Sequence, residues 1–276
     1  VAYFDEVREA IEGEHRLISL NELASRRRRQ RGWPNRVRVA YIAIDGIITD
    51  GRTRANPFWG PNLSGAMDIR KALREARQDS SIAAVLLRID SPGGSASAAD
   101  ALWREVVLTE KVKPVVVSMG DSAASGGYYA AAGATTVFAS PATLTGSIGI
   151  FAGKADLSGL AGKIGLRRDG VKRGPKADMY SLWRPFTKEE RGLLRRELRD
   201  FYDKFVHRVA AGRSVAEAEA PSWAEGRVWT GREALKRGLV DHLGGLSEAL
   251  EEAKARARLE GRQVEPVHLP GRTSLL

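Results

Sequence analysis

Residues 114–130, Pro114-Val-Val-Val-Ser-Met-Gly-Asp-Ser-Ala-Ala-Ser-Gly-Gly-Tyr-Tyr-Ala130, decide how the chain is read. Pro114 to Ser118 is an apolar run with the pattern of a buried strand. Tyr128 to Gly133 is small and helix-compatible. Between them Ser125 stands among alanines and glycines. A strand, a tight small-residue turn and then a helix is how a nucleophilic serine is presented above a sheet. Gly126 and Gly127 let the backbone approach a substrate closely. Free N–H groups at the helix start suit a developing negative charge. Standing alone, such a segment is more often a glycine-rich packing turn.

Outward from this stretch the pattern alternates. Arg36 to Ile44 reads as a strand, which Ile47 and Ile48 continue past Asp45-Gly46. Residues 50–63 form a Gly/Pro/Asn-rich loop carrying Phe58 and Trp59. Ser64 is placed to cap a helix over about Met67–Arg77. Ile82 to Ile89 is almost continuously apolar, as a parallel strand buried on both faces must be. Asp90-Ser-Pro-Gly-Gly94 is a loop, Ser97 to Glu110 an amphipathic helix, and Thr136 to Ala139 a further strand. This β-α-β-α-β order predicts an α/β domain with right-handed crossovers. The expected organisation is an N-terminal helical segment and basic linker over 1–35, a principal domain over 36–255 and a tail over 256–276.

With 276 residues, 43% hydrophobic and 28% charged, the chain has the balance of a globular protein with a full core. It has no run of 18 apolar residues, so no transmembrane helix is encoded. The start, Val1-Ala-Tyr-Phe-Asp-Glu, has neither initiator Met nor signal-peptide character and reads as a fragment or a processed piece. The absence of cysteine excludes disulfides, a Cys nucleophile and Cys-ligated metal. The net charge of +10 is concentrated in Arg26–Arg38, which holds no acid. Such a run suits nucleic acid or an anionic membrane surface, but it reads first as an exposed linker, since no nucleic-acid motif accompanies it. Arg191, Arg195, Arg196 and Arg199 alternate with Glu189, Glu190, Glu197 and Asp200, the pattern of a salt-bridged solvent face.

The loop Ser91-Pro-Gly-Gly94 follows a strand, where ligands bind in open α/β sheets. A backbone N–H of Gly93 or Gly94, with that of Gly126, would make a two-donor oxyanion hole. Together the loops suit acyl transfer. A serine needs a base. The histidines, His15, His207, His242 and His268, all lie away from the expected strand ends. Lysine is the alternative, and Lys154, Lys163, Lys172 and Lys176 follow the serine. Its free pKa of about 10.4 must fall by roughly three units, about 4 kcal/mol, which burial in an apolar pocket supplies.

Four blocks in order resemble the signal peptide peptidase A family: Asp90-Ser-Pro-Gly-Gly94, Ser118 to Tyr129, Thr145-Gly-Ser-Ile-Gly149, and Gly226-Arg-Val-Trp-Thr-Gly231 with Gly238 to Gly245. The resemblance covers about residues 36–250. It implies a Clp protease/crotonase-like α/β fold, a superhelix of β-β-α units, and a Ser–Lys endopeptidase without cofactor or metal. It assigns Ser125 as nucleophile, Gly126 and Gly93 or Gly94 as oxyanion donors, Ser147 as the group orienting the lysine amine, and Lys176 as base. The Pro-Lys-Ala-Asp spelling at 175–178 is closer to the C-terminal half of long two-repeat members, whose lysine comes from the other half. The resemblance further implies a small apolar substrate pocket; Tyr128, Tyr129 and the loop with Phe58 and Trp59 are candidates either to keep the Lys176–Ser125 pair dry or for ordinary packing. Leftover signal peptides or unfolded hydrophobic segments are the implied substrates. It also implies a homo-oligomer and a place on the outer side of a bacterial cell membrane, anchored through an upstream segment. Nucleic acid is not an expected partner. A non-catalytic scaffold subunit and a crotonase-type acyl-CoA enzyme are the competing readings.

Overall fold

A computed structural model describes residues 37–54 and 61–270. The expected helices before residue 24, most of the basic linker, and Phe58 and Trp59 lie outside the described residues.

The sheet is built around β1 (Arg38–Asp45), β4 (Ile82–Ser91), β5 (Val115–Ala124) and β6 (Thr136–Ala139), extended by β9 (His242–Leu243) and β10 (Glu265–Leu269). Its order is β10-β1-β4-β5-β6-β9, every pair parallel. Strand periodicity divides the core. Ile42, Ile44, Val85, Leu87, Ile89, Val115 and Val117 face helices α1 (Ala66–Gln78) and α2 (Ala96–Glu110). Val39, Ala84, Leu86 and Val116 face the opposite way, against Ala249 and Ala253 of a C-terminal helix, Leu246–Arg256. Both faces are covered, which is why β4 is apolar along nearly its whole length. A fully buried Leu or Ile such as these contributes on the order of 1.5–3 kcal/mol.

Several local features differ from the sequence expectation, among them Asp90 and Ser91, which end β4 instead of opening the loop. Ile47–Thr49 does not continue β1: after a turn at Gly46 (φ 78°) it forms β2, which pairs with β3 (Leu63–Gly65). Ser64 does not cap α1. Its hydroxyl donates to the Asp45 carbonyl and accepts from the Asp45 N–H, both at 2.8 Å, so it ties β3 to β1 while Gly65 takes the cap position. Strand β5 runs past Ser118 to Ala124 through a break in its register with β4. The segment after residue 256 carries β10, which lies along β1 from Arg38 to Ile42.

Downstream of β6 come β7 (Leu144–Gly146), which joins the far end of β5, and β8 (Val228–Thr230), antiparallel to β7. Between β7 and β8 lie a largely exposed stretch and a long helix, Lys188–Arg213. The expected salt-bridged face of that helix is not formed. Glu189 pairs with Lys176 and Glu190 with Arg184, because both acids sit in the first turn and face the preceding segment. No described helix is long and apolar enough to cross a membrane.

Candidate active site

Ser125 lies between β5 and the six-residue helix α3 (Gly126–Ala131). Its backbone has φ 50° and ψ −118°, a conformation that L residues rarely adopt and that recurs at functional sites. Two backbone bonds hold it there. Its N–H donates to the Gly146 carbonyl at 2.9 Å, and its carbonyl accepts from the Tyr129 N–H at 2.8 Å. The Gly93–Gly94 loop packs directly on this turn: a Cβ on Gly93 would fall 2.7 Å from the Gly126 nitrogen and 2.9 Å from Ser125 Cβ. Gly94 is bound to β2 just as closely, and its missing Cβ would lie 2.0 Å from the Ile48 carbonyl oxygen. The Gly93 N–H is taken, since it donates to the buried Ser91 hydroxyl at 3.1 Å. This leaves the Gly94 and Gly126 N–H groups as the neighbouring donors beside Ser125.

Ser147 follows β7 as Ser125 follows β5, and the two strands pair with Ala124 opposite Gly146. Ser147 also has a positive φ, 48°, fixed by its N–H donating to the Arg227 carbonyl at 2.7 Å. Ser125, Ser147, Gly93, Gly94, Phe151 and Glu225 together line a cavity of about 640 Å³. A second cavity, about 390 Å³, adjoins the first, sharing Ser125, Gly94 and Phe151 with it and reaching Gly126. Ala96, Ala99, Tyr129, Ile150, Phe201 and Phe205 give it an apolar wall. Tyr129 lines this cavity: its ring packs on Phe201 and Phe205 with centroids 5.5 and 4.4 Å away. Tyr128 does not. It is fully buried, donates its hydroxyl to the Leu239 carbonyl at 2.7 Å, and has its pKa pushed up by that burial.

Lys176 lines neither cavity. Its side chain is 43% exposed and its ammonium lies 3.0 Å from the Glu189 carboxylate. The other three candidate lysines are also engaged or exposed. Lys154 donates to the Met179 and Ser181 carbonyls and lies over the Phe186 ring, Lys172 pairs with Asp178, and Lys163 ends an exposed short helix. His207, His242 and His268 line neither cavity; they contact Glu217, Phe138 and Tyr41. Among the described residues no cluster of His, Asp and Glu is arranged to hold a metal.

Sequence reading did not single out Ile150, Phe151, Phe201, Phe205 or Glu225. Phe201 and Phe205 stand one helical turn apart, a spacing that by itself says only that they face the same way. Which object they face is a tertiary fact.

Residues 108–260 match the family described as peptidase family S49. The chain belongs to peptidase family S49. The resemblance to signal peptide peptidase A is borne out by relatives. The chain is 40% identical to the chloroplastic serine protease SPPA of Arabidopsis thaliana over 70% of its length, and 36% identical to Protease 4 of Haemophilus influenzae over 80%. It spans only 29% and 35% of those two proteins. It covers 80% of a protein of Synechocystis sp. to which it is 36% identical across 84% of this chain. In fold it is similar to a membrane-bound stomatin-specific protease, with a TM-score of 0.55 at 17% identity, covering 86% of this chain and 99% of that one. Against ClpP1 of Listeria monocytogenes the TM-score is 0.52 at 15% identity, covering 76% and 94%. The fold of family S49 in this chain is therefore a Clp protease-like α/β fold.

Proposed function

We propose that this chain is a serine endopeptidase domain in which Ser125 attacks the peptide carbonyl. The observation that carries the reading is a serine held at φ 50° with the Gly93–Gly94 loop packed directly against its turn. In the proposed reaction a neutral lysine amine takes the Ser125 hydroxyl proton as Oγ bonds to the carbonyl carbon. The developing oxyanion accepts hydrogen bonds from Gly94 and Gly126. The protonated amine then gives its proton to the leaving nitrogen as the acyl-enzyme forms, and water releases the acyl group by the same steps. Ser147, lining the same cavity as Ser125, is the group proposed to accept from and orient that amine. The proposed substrates are cleaved signal peptides and other unfolded apolar peptides, received by a self-assembled enzyme on the outer side of a bacterial membrane and anchored by a segment outside this chain. No cofactor is required.

Lys176 serves as base in this scheme only if it leaves Glu189 and the 170–180 segment turns toward Ser147. The Lys176–Glu189 pair favours a second reading, in which the amine enters the Ser125 cavity from outside this chain. Labelling by a fluorophosphonate, compared among wild type, Ser125→Ala, Lys176→Ala and Glu189→Gln, separates the two. Labelling lost in both alanine variants and faster in Glu189→Gln supports a self-contained Ser–Lys pair. Labelling that survives Lys176→Ala assigns the base elsewhere. Labelling that survives Ser125→Ala overturns the nucleophile. A wild-type chain that is inert alone, but reactive when a lysine-bearing repeat is added, supports the half-enzyme. Persistent inertness supports the scaffold.

A further inference from the structure

We infer that Asp90 is a positioning residue that sets the register of the nucleophile strand. The inference rests on the reading of Ser125 as nucleophile, but the geometry behind it does not. In the β4–β5 ladder Ile89 lies opposite Met119 and Ser91 opposite Ala123. One residue of β4, Asp90, therefore spans three of β5, Gly120 to Ser122, and β5 carries two extra residues just before the nucleophile. A bulge of this kind re-aims the strand end and leaves ladder groups without their usual partners.

Asp90 supplies what the ladder lacks. Its Oδ1 accepts the Ser122 N–H at 3.0 Å. Its side chain also fills the space beside Gly120, where a Cβ would fall 2.6 Å from Asp90 Cγ and 2.7 Å from Oδ2. From the other side the Thr143 hydroxyl donates to the Gly120 carbonyl at 2.7 Å. Asp90 is itself firmly placed, because its backbone lies opposite Asp45 of β1 and its carbonyl accepts from the Gly46 N–H at 2.8 Å. The residue thus couples the rigid centre of the sheet to a bulge that ends three positions before Ser125, and it stands near the end of the strand that leads into the Gly93–Gly94 loop. Both proposed oxyanion donors take their relative placement from this point. Asp90 lines neither cavity beside Ser125, so it acts through the backbone and not by touching substrate.

The bond needs an acceptor oxygen of the right length and no charge. Asp90→Asn keeps it and Asp90→Ala removes it. The experiment is residue-resolved amide exchange on wild type and both variants, combined with fluorophosphonate inactivation analysed as separate binding and bond-forming constants. Asp90→Ala is expected to lose protection over 120–126, first at Ser122, while β1 stays protected. Its bond-forming rate constant is expected to fall at least about tenfold with unchanged probe affinity, the pattern of misaligned groups. Asp90→Asn is expected to restore both. Unchanged protection at Ser122 in folded Asp90→Ala, a Ser122 amide already unprotected in wild type, or an Asn variant as impaired as Ala overturns the proposal. Should the Ala variant not fold, the Asn variant decides alone: wild-type protection supports the bond, and its loss overturns it. A wild type inert to the probe counts against Ser125 as a self-contained nucleophile, and the exchange data still decide the role of Asp90.

Discussion

Gly94→Ala tests the oxyanion geometry where it is most tightly specified. The new Cβ would lie 2.0 Å from the Ile48 carbonyl oxygen and 2.8 Å from the Ile48 nitrogen. Carbon and oxygen make contact at about 3.3–3.6 Å, so the loop must retreat by roughly 1.3 Å or more. The φ of 152° adds strain for any residue with a side chain. Retreat breaks the bonds from Ile48 N–H to Gly93 and from Ser95 N–H to Ile48, worth about 1 kcal/mol each. With about 1–3 kcal/mol of backbone strain, the expected loss of stability is roughly 3–5 kcal/mol. The chemical loss is separate. Removing one oxyanion donor costs about 10²–10³ in rate, and a 1 Å misplacement alone costs about 10². The assay is the second-order rate of fluorophosphonate labelling, at a temperature where circular dichroism shows the variant folded. Gly153→Ala is the control, since a Cβ there meets nothing within 4 Å. A folded Gly94→Ala that labels within threefold of wild type would refute the assignment of Gly94 as donor.

Ser125→Gly should abolish labelling yet raise stability by about 1 kcal/mol, because glycine relieves the φ 50° strain; a melting temperature at or below wild type counts against strain at this position. Phe205, 1% exposed in the wall of the second cavity, should cost about 3–5 kcal/mol on truncation to alanine, and a urea unfolding free energy lowered by less than about 1 kcal/mol would show that the wall is not packed as described. The Arg184 guanidinium and the Thr187 N–H lower the Glu190 carboxyl from 4.5 to about 2. A depressed folded-state pKa contributes stability that is full above about 4.5 and lost as pH falls through about 2. Arg184 and then Lys172 hold Asp178 below the usual carboxylate range in the same network. Acid titration of stability should therefore be shallower in Glu190→Gln than in wild type across that window, and parallel curves would refute the linkage.

Much of the fold was legible because it rests on local periodicity. The apolar runs of β4 and β5 belong to strands covered on both faces, and that pattern needs no knowledge of what covers them. Ser125 was legible for a related reason: a turn this tight admits only small neighbours, so its requirements are written in adjacent residues. The break in the β4–β5 register was not. Nothing in Gly120-Asp-Ser122 distinguishes a bulge from a regular strand until Asp90 of the neighbouring strand is placed against it. Ser64 misled for the same reason, since its partner is Asp45, 19 residues away.

The sequence by itself determined the α/β class, the two glycine-bearing loops and the serine that one of them carries, since each depends on short-range backbone chemistry. Tertiary structure alone decided that Ser147 shares a cavity with Ser125, that Phe201 and Phe205 wall a second one, and that Lys176 rests on Glu189. Those placements depend on contacts between residues far apart in the chain. Side-chain identity restricts such contacts only weakly until the sheet order has been fixed.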